Sequence, residues 1–321
     1  MRVLFVIPGD GEGSSMIFAR RQAAALRAQG VEVAEFFLRS RTSLMKIAGE
    51  FFRFRRELAR IDPEIVHAHY GTVTAMFARL AAGGRRLVIT YRGSDLNPSP
   101  GSRAMRTALA HLFSQIAALG ARRIICVSRQ LRDRLWWRRE GVTIMASGVD
   151  ASEFQPGSRD TARRELGWRF TAPMVLFHCG RDAMVKRLDL ASAAMAAARR
   201  TLPELDWQVL DGSTEPGKVP LLMKAADCLL VTSDYEGSPT VVQEALASNL
   251  PIVSVEVGDA PERLSGVSNT KIVTREAEAI GAAIVELTWE PRRSDGRQKI
   301  AEFDSETIAA RLRALYAEAA G

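Results

Sequence analysis

The sequence is poor in the residues that build disulfide frameworks and zinc sites. Three cysteines and four histidines occur in 321 residues, and no two cysteines have the CxxC spacing. Both kinds of site need more of these residues at closer spacing. Cys126, Cys179 and Cys228 each lie at one end of an apolar run. We therefore expect three buried free thiols, and no metal or other cofactor.

Long apolar runs are also absent. No segment approaches the ~18 to 20 apolar residues that a membrane-spanning helix requires. The first residues, MRVLFVIPGDGEG, contain a short apolar run that breaks at Pro8 and Gly9 without a small-residue cleavage site, which predicts a strand and no signal peptide. With 47% hydrophobic and 25% charged residues, the chain is typical of a soluble, cytoplasmic protein whose length allows two domains.

Acidic residues are scarce in the first half of the chain. Residues 1–155 carry 24 Lys/Arg against 13 Asp/Glu, whereas residues 156–321 carry 20 against 24. Two explanations for this excess of basic residues remain open: an Arg-rich composition that has no function, or binding to an anionic partner. Residues 43–60 predict an amphipathic helix that suits either a core helix with a solvated basic face or contact with an anionic membrane. Its basic residues are Lys46, Arg53, Arg55, Arg56 and Arg60.

An aromatic and basic cluster follows in the same half. Trp136 and Trp137 directly precede Arg138 and Arg139, a combination found at nucleic-acid and membrane interfaces. No recognisable nucleic-acid-binding module accompanies the cluster, so we expect no nucleic-acid partner.

Chemistry-bearing residues concentrate between Asp227 and Pro251, in the stretch DCLLVTSDYEGSPTVVQEALASNLP. An apolar run predicts a buried strand, and Ser238 and Pro239 predict the N-cap and first residue of the following helix. The free N–H groups of that helix would form a phosphate site at the carboxyl edge of a sheet. Glu236 and Glu244 flank this site, and carboxylates suit sugar or ribose hydroxyls. A nucleotide sugar supplies both the phosphates and the hydroxyls.

This stretch closely resembles the Glu-x7-Glu motif of the retaining glycosyltransferases of family 4, which have the GT-B fold. The resemblance implies that Glu236 holds the transferred sugar and Glu244 the ribose. The diphosphate would be bound by the backbone of Gly237, Ser238, Pro239 and Thr240. The implied fold is α/β, with two facing doubly wound Rossmann-like domains at 1–155 and 156–303. A carboxy-terminal helix at 304–321 would cross back to the first domain.

Two further loops match the family's donor site. Gly180, Arg181 and Lys186 resemble the glycine and paired basic residues that hold the donor diphosphate, and we expect both cations to act in catalysis. Near the amino terminus, Gly11 and Gly13 resemble loosely the glycine-rich loop that approaches the same diphosphate. Asp10 and Glu12 are unusual in that loop, and the Gly-x-Gly-x-Gly spacing only weakly indicates a dinucleotide site.

The acceptor side departs from the family pattern. Where the family commonly has His-Gly-x-Asp, this chain has Arg92, Gly93, Ser94 and Asp95. Because arginine stays protonated, Arg92 cannot be a general base, and it would instead bind phosphate or an anionic acceptor, with Ser94 beside it. Asp95 matches the family's aspartate and would contact a reacting hydroxyl, although capping of the following turn is the structural alternative.

A second departure concerns base recognition. After residues 207–210 the family has a further strand whose end contacts the nucleobase, whereas this chain passes through a short polar link, Asp211-Gly212-Ser213, to the next segment. About one βα unit is missing. The sequence therefore does not indicate which base the donor carries.

The resemblance implies a metal-independent hexosyltransferase that moves a sugar from a nucleotide sugar to a glycan, lipid-linked or small-molecule acceptor with retention of configuration. The Asp-x-Asp triplet of metal-dependent GT-A enzymes does not occur. The protein would then associate peripherally with the inner face of the membrane. It would act in the synthesis of a cell-surface polysaccharide or glycolipid. A catalytically silent nucleotide-sugar-binding protein and a GT-B sugar-nucleotide epimerase remain as alternatives.

Overall fold

The computed structural model describes residues 1–12, 16–97, 104–180 and 182–321. The chain divides into two compact units: the first comprises residues 1–148 and 305–321, and the second comprises residues 149–304. The boundary predicted at residue 155 therefore lies inside the second unit. That unit starts earlier because the backbone N–H of Val149 donates to the carbonyl of Phe303 at 3.0 Å.

The first unit is a parallel sheet with helices on both sides. Its elements up to residue 144 are β1 (Arg2–Pro8), α1 (Ile17–Ala28), β2 (Glu32–Leu38), α2 (Leu44–Ile61), β3 (Ile65–His69), α3 (Thr72–Ala81), β4 (Arg86–Tyr91), α4 (Ala104–Leu119), β5 (Arg123–Cys126), α5 (Arg129–Asp133) and β6 (Val142–Ile144). The strand order is β2-β1-β3-β4-β5-β6, and all pairs are parallel. Because both faces are covered, strands such as β3 are buried at every residue.

The second unit repeats this construction. Its elements are α6 (Arg159–Leu166), β7 (Met174–His178), α7 (Leu188–Arg199), β8 (Asp206–Leu210), α8 (Val219–Ala225), β9 (Cys228–Val231), α9 (Thr240–Ala247), β10 (Ile252–Val255), α10 (Ala260–Leu264), β11 (Thr270–Val273) and α11 (Ala277–Trp289). The strand order is β11-β10-β9-β7-β8, again with parallel pairs only. The predicted fold class, two doubly wound α/β domains, is confirmed.

The last helix, α12 (Ser305–Ala320), belongs to the first unit. It is attached through the core: the hydroxyl of its Tyr316 hydrogen-bonds Nδ1 of His67 in β3, and Nε2 of His67 hydrogen-bonds Thr90 in β4 at 2.7 Å. Burial lowers the pKa of His67 well below its usual value, so the imidazole is neutral. Both ring nitrogens of this buried histidine are thus paired, one of them by α12.

A buried ion cluster joins the amino-terminal ends of β7 and β9. Asp227, directly before β9, accepts from Nη2 of Arg163 and Nε of Arg159 at 2.6 Å each, and from the backbone N–H of Met174 at 2.7 Å. The side chains of Asp227 and Arg163 are both 0% exposed. Arg163 also donates to the carbonyls of Arg169, Phe170, Ala172 and Ala225. A charge is tolerated in a core when its polar atoms are paired in this way.

Several expectations for the elements can be checked directly. Cys126, Cys179 and Cys228 are buried free thiols, as predicted. The strand β11 was not predicted. Three of its four residues are half-buried and one is exposed, so it lacks the buried apolar run of a strand such as β9. No helix in the described ranges is long and apolar enough to cross a membrane.

Candidate functional site

The strand order reverses at one point in each sheet. In the first unit this point lies between β1 and β3, and in the second between β7 and β9. Ligands of open α/β sheets bind beyond the carboxyl ends of the strands at such a point. The predicted loops are found there: residues 9–12 follow β1, residues 179–187 follow β7, and residues 232–239 follow β9.

Hydrogen bonds fix the two loops of the second unit to each other. Thr232 Oγ1 donates to the carbonyl of Lys186 at 2.7 Å, and the N–H of Asp234 donates to the carbonyl of Val185 at 2.9 Å. Arg187 also pairs with Asp234, with 3.2 Å between Nη1 and Oδ1. Lys186 is therefore held in place against the loop that follows β9.

Lys186 and Glu236 form an ion pair at this point, from Nζ to Oε1. Their side chains are only 18% and 15% exposed, so water screens their attraction less than it screens an exposed pair. The sequence predicts separate roles for the two residues, and the structure brings them together. Arg181, the other predicted cation of this loop, lies outside the described residues.

The start of α9 differs from the prediction. The helix begins at Thr240 with Pro239 as its N-cap, so the capping role expected for Ser238 was wrong. The Ser238 hydroxyl instead donates to Oδ2 of Asp259 at 2.8 Å and accepts from Gln243 at 2.9 Å. A capping hydroxyl accepts from a backbone N–H, and here the side-chain amide of Gln243 is the donor instead.

The loop before α9 is closely packed. Gly237 is buried, and a Cβ on Gly258, whose φ is +56°, would lie 3.0 Å from the carbonyl oxygen of Gly237. A larger residue at 258 would therefore displace this loop. Glu244 lies in the second turn of α9 and is half-buried. The two glutamates of the predicted motif thus flank the amino-terminal end of α9.

His178, which sequence reasoning missed, also belongs to this site. It is the last residue of β7 and is half-buried. Its Nδ1 is enclosed and has no hydrogen-bond partner among the described residues. Burial lowers the pKa of His178 to about 4, with a further lowering from Lys186 that Glu236 partly offsets. The imidazole is therefore neutral and within electrostatic range of the ion pair.

In the first unit, the carboxylate of Asp95 is buried and hydrogen-bonded to backbone N–H groups. Asp95 is 0% exposed, and its carboxylate accepts from the backbone N–H groups of Gly71 at 2.9 Å, Arg92 at 3.0 Å and Gly93 at 2.8 Å. Burial raises the pKa of Asp95, and these three donors oppose the rise. The contacts favour a role in holding the loops after β3 and β4 together over the predicted contact with a reacting hydroxyl.

Arg92 is held on several sides. Its Nη1 donates to Ser147 at 2.8 Å, and its Nη2 donates to Nδ1 of His69 at 2.8 Å and to Gln22 at 3.3 Å. The guanidinium carbon also lies 4.2 Å from the ring centre of Phe18. Burial lowers the pKa of Arg92 to about 9, so the group stays charged at neutral pH, as expected. These contacts favour a bracing role over the predicted binding of an anion.

Ser94 and Gly11, two further predicted residues, lie in the loops after β4 and β1. Ser94 is exposed, and its hydroxyl hydrogen-bonds that of Tyr70. Gly11 has a φ of +91° and faces the ring of Phe37, from which a Cβ would lie 3.1 Å away, so only glycine fits well. Gly13 lies outside the described residues.

The second sheet is shortened at the predicted place. It ends at β8, and residues 211–218 between β8 and α8 contain no strand. No strand end lies beyond β8 to contact a nucleobase, which agrees with the missing βα unit inferred from the sequence.

Comparisons with known proteins agree with this geometry. Residues 14–153 match the model "Glycosyltransferase Family 4", and residues 198–289 match "Glycosyl transferases group 1". A protein of Bacillus subtilis named as a teichuronic acid biosynthesis glycosyltransferase, TuaC, is 24% identical over 282 residues, covering 79% of this chain and 70% of that protein. Matches to other curated glycosyltransferases and glycogen synthases span about half of their length, 43 to 51%.

Solved structures of the same fold cover nearly the whole chain. Sucrose-phosphate synthase from Thermosynechococcus elongatus has a TM-score of 0.81 at 18% identity, covering 99% of this chain and 98% of that one. HepE from Anabaena, solved with UDP and glucose, has a TM-score of 0.76 at 17% identity, covering 99% and 100%. At these identities the likeness shows the fold. The two family matches place the chain among the family 4-type glycosyltransferases.

Proposed function

We propose that the protein transfers a hexose from a nucleotide sugar to an acceptor, with retention of configuration and without a metal. The observation that carries the proposal is the ion pair of Lys186 and Glu236 at the reversal point of the second sheet. Departure of the nucleotide leaves about two negative charges, and a fixed cation in a partly enclosed site stabilises them. Lys186 supplies that charge, and Glu236 is released from it to accept from sugar hydroxyls.

The ion pair also resolves an electrostatic problem. A carboxylate beside a diphosphate site would repel the donor, but here the ammonium group of Lys186 neutralises Glu236 before the donor binds. The structures of HepE with UDP and with UDP-glucose support a nucleotide-sugar donor for the fold. Because the sheet ends at β8, we propose no particular base.

The experiment that tests this proposal is calorimetry with a panel of nucleoside diphosphates, followed by assays of donor hydrolysis. We expect Glu244→Ala to weaken nucleotide affinity, since it removes the predicted ribose contact, at a cost of roughly 1.5 to 3 kcal/mol. Glu236→Ala should mainly lower turnover. Equal loss of affinity in both variants would contradict the division of roles.

The same experiment separates the two alternatives. A catalytically silent binding protein would bind the nucleotide and show neither hydrolysis nor transfer for any donor. An epimerase would return an epimerised sugar nucleotide with no acceptor present.

For the acceptor, we propose an anionic molecule presented at a membrane surface. The outer face of α2 carries Met45, Phe52 and Arg56. Their spacing of seven and four residues places them on one side of the helix. The side chains of Met45 and Phe52 are 87% and 73% exposed. Near the start of α2, a pocket of about 430 Å³ is bordered by Arg41 and, from α4, by the basic and apolar residues Arg106, Leu109 and Phe113. Exposed apolar groups among basic ones are the composition of membrane-docking surfaces.

The structure changes the choice of basic residues to test. Arg53, which the sequence favours as a lipid contact, pairs with Glu50 and lies 3.8 Å from the ring centre of Phe36. The charge of Arg53 is therefore already paired within the first unit, whereas Arg56 is exposed.

We expect the wild-type protein to co-sediment with vesicles that contain anionic lipid at low salt, and to be released at high salt. Each nearby basic residue is worth about 1 kcal/mol in such docking. Met45→Glu and Arg56→Glu should each weaken binding, because one removes an apolar contact and the other reverses a charge. The matched control is Leu119→Glu, an exposed residue at the far end of α4. Failure of the wild type to bind anionic vesicles at low salt would end the membrane proposal.

A further inference from the structure

His178 has no hydrogen-bond partner for its enclosed nitrogen, although it lies at the centre of the candidate site. It is the last residue of β7, at the reversal point, and its Nδ1 is buried without a partner in the described ranges. An N–H that is buried without an acceptor is rare, whereas an unpaired lone pair is tolerated better. Because the imidazole is neutral, its one proton therefore resides on Nε2.

The position of Nε2 can be read from Gly180. A Cβ built on this glycine would lie 3.5 Å from Cε1 and 3.9 Å from Nε2 of His178, so this edge of the ring faces the loop between β7 and α7. The same loop carries Lys186. The N–H of Nε2 and the ammonium group thus border one short segment, and both are hydrogen-bond donors.

We propose that His178 donates a hydrogen bond from Nε2 to the diphosphate of the nucleotide-sugar donor. This inference rests on the proposed function, because it assigns one more contact to that donor. Phosphate oxygens accept hydrogen bonds and donate none when ionised, so they match a group that offers only an N–H. His178 is a binding residue: its hydrogen bond is directional and adds to the charge that Lys186 supplies.

The test compares His178→Phe with His178→Gln, using inorganic pyrophosphate and UDP, GDP and ADP as probes in calorimetry. Phenylalanine removes the N–H, and glutamine places an amide N–H near the position of Nε2. We expect His178→Phe to weaken pyrophosphate and the bound nucleotide by the same factor, about 10- to 100-fold. His178→Gln should remain close to wild type, and the thermal midpoint of both variants shows whether the fold is intact.

His111→Phe is the matched control, because His111 of α4 also has an enclosed nitrogen without a described partner but lies in the first unit. It should leave all four affinities unchanged. If His178→Phe weakens only the nucleotides and not pyrophosphate, the contact is not to the diphosphate and the inference is wrong. Unchanged binding in His178→Phe overturns it as well. If the wild type binds none of the probes, the proposed function itself fails, and this inference fails with it.

Discussion

Replacement of Asp227 by asparagine is expected to lower the free energy of unfolding of the second unit by about 3 to 5 kcal/mol. The substitution keeps the size of the side chain but removes the charge that faces Arg163, which is 0% exposed. The guanidinium of Arg163 would then lie in the core without a counter-charge, and it cannot recover its hydration there. Urea denaturation measures the loss, and hydrogen exchange of the amides in β7 and β9 shows whether it arises at the joined strand ends.

Glu204→Gln is the matched control for this prediction. Glu204 pairs with Arg169 at 3.1 Å in the same unit, but the two side chains are 73% and 64% exposed, so the loss should stay below about 1 kcal/mol. In the double variant Asp227→Asn with Arg163→Met, the buried charge is gone and part of the stability should return. If Asp227→Asn and Glu204→Gln lowered the free energy of unfolding equally, the buried cluster would contribute no more to stability than an exposed ion pair.

Lys186→Ala is expected to have the largest effect on activity, lowering kcat/KM for donor cleavage by about 10²- to 10³-fold. Two effects combine in this variant. The cation proposed to stabilise the departing nucleotide is lost, and Glu236 loses the counter-charge that it has in the ion pair. Steady-state assays of donor hydrolysis and transfer, with UDP affinity measured separately, distinguish the two effects.

A double variant separates them further. Lys186→Ala with Glu236→Ala removes the repulsion as well as the cation, so nucleotide affinity should recover in part while turnover stays low. Lys218→Ala serves as the control, because Lys218 is 65% exposed and pairs with Glu215 at 3.8 Å in the same unit. Unchanged turnover in Lys186→Ala would contradict the assignment of this residue to the leaving group.

The fold follows closely from the sequence because parallel strands covered on both faces appear as short apolar runs. The strands β9 and β10, CLLV and IVSV, are buried at every residue, whereas β8 and β11, DWQVL and TKIV, are mostly half-buried and lack such a run. The Glu-x7-Glu motif likewise locates the loop before α9, since the order of strand, loop and helix is local.

The side-chain contacts of the site could not be predicted in the same way. The hydroxyl of Ser238 turns to Asp259, 21 residues away in the chain, and no local pattern shows that a buried carboxylate will lie there. The unpaired Nδ1 of His178 depends on what surrounds it after folding. Asp95 matches a family motif, but its three backbone donors come partly from Gly71 in another loop, which the motif alone does not reveal.

The return of α12 to the first unit has a consequence for how the chain is made. The second unit, residues 149–304, is an insertion between β6 and the last helix of the first unit. A ribosome therefore completes every segment of the second unit before it supplies Tyr316, and until then Nδ1 of His67 lacks the partner that it has in the finished core. Although the first unit leads in the sequence, the second is the one that can finish folding first.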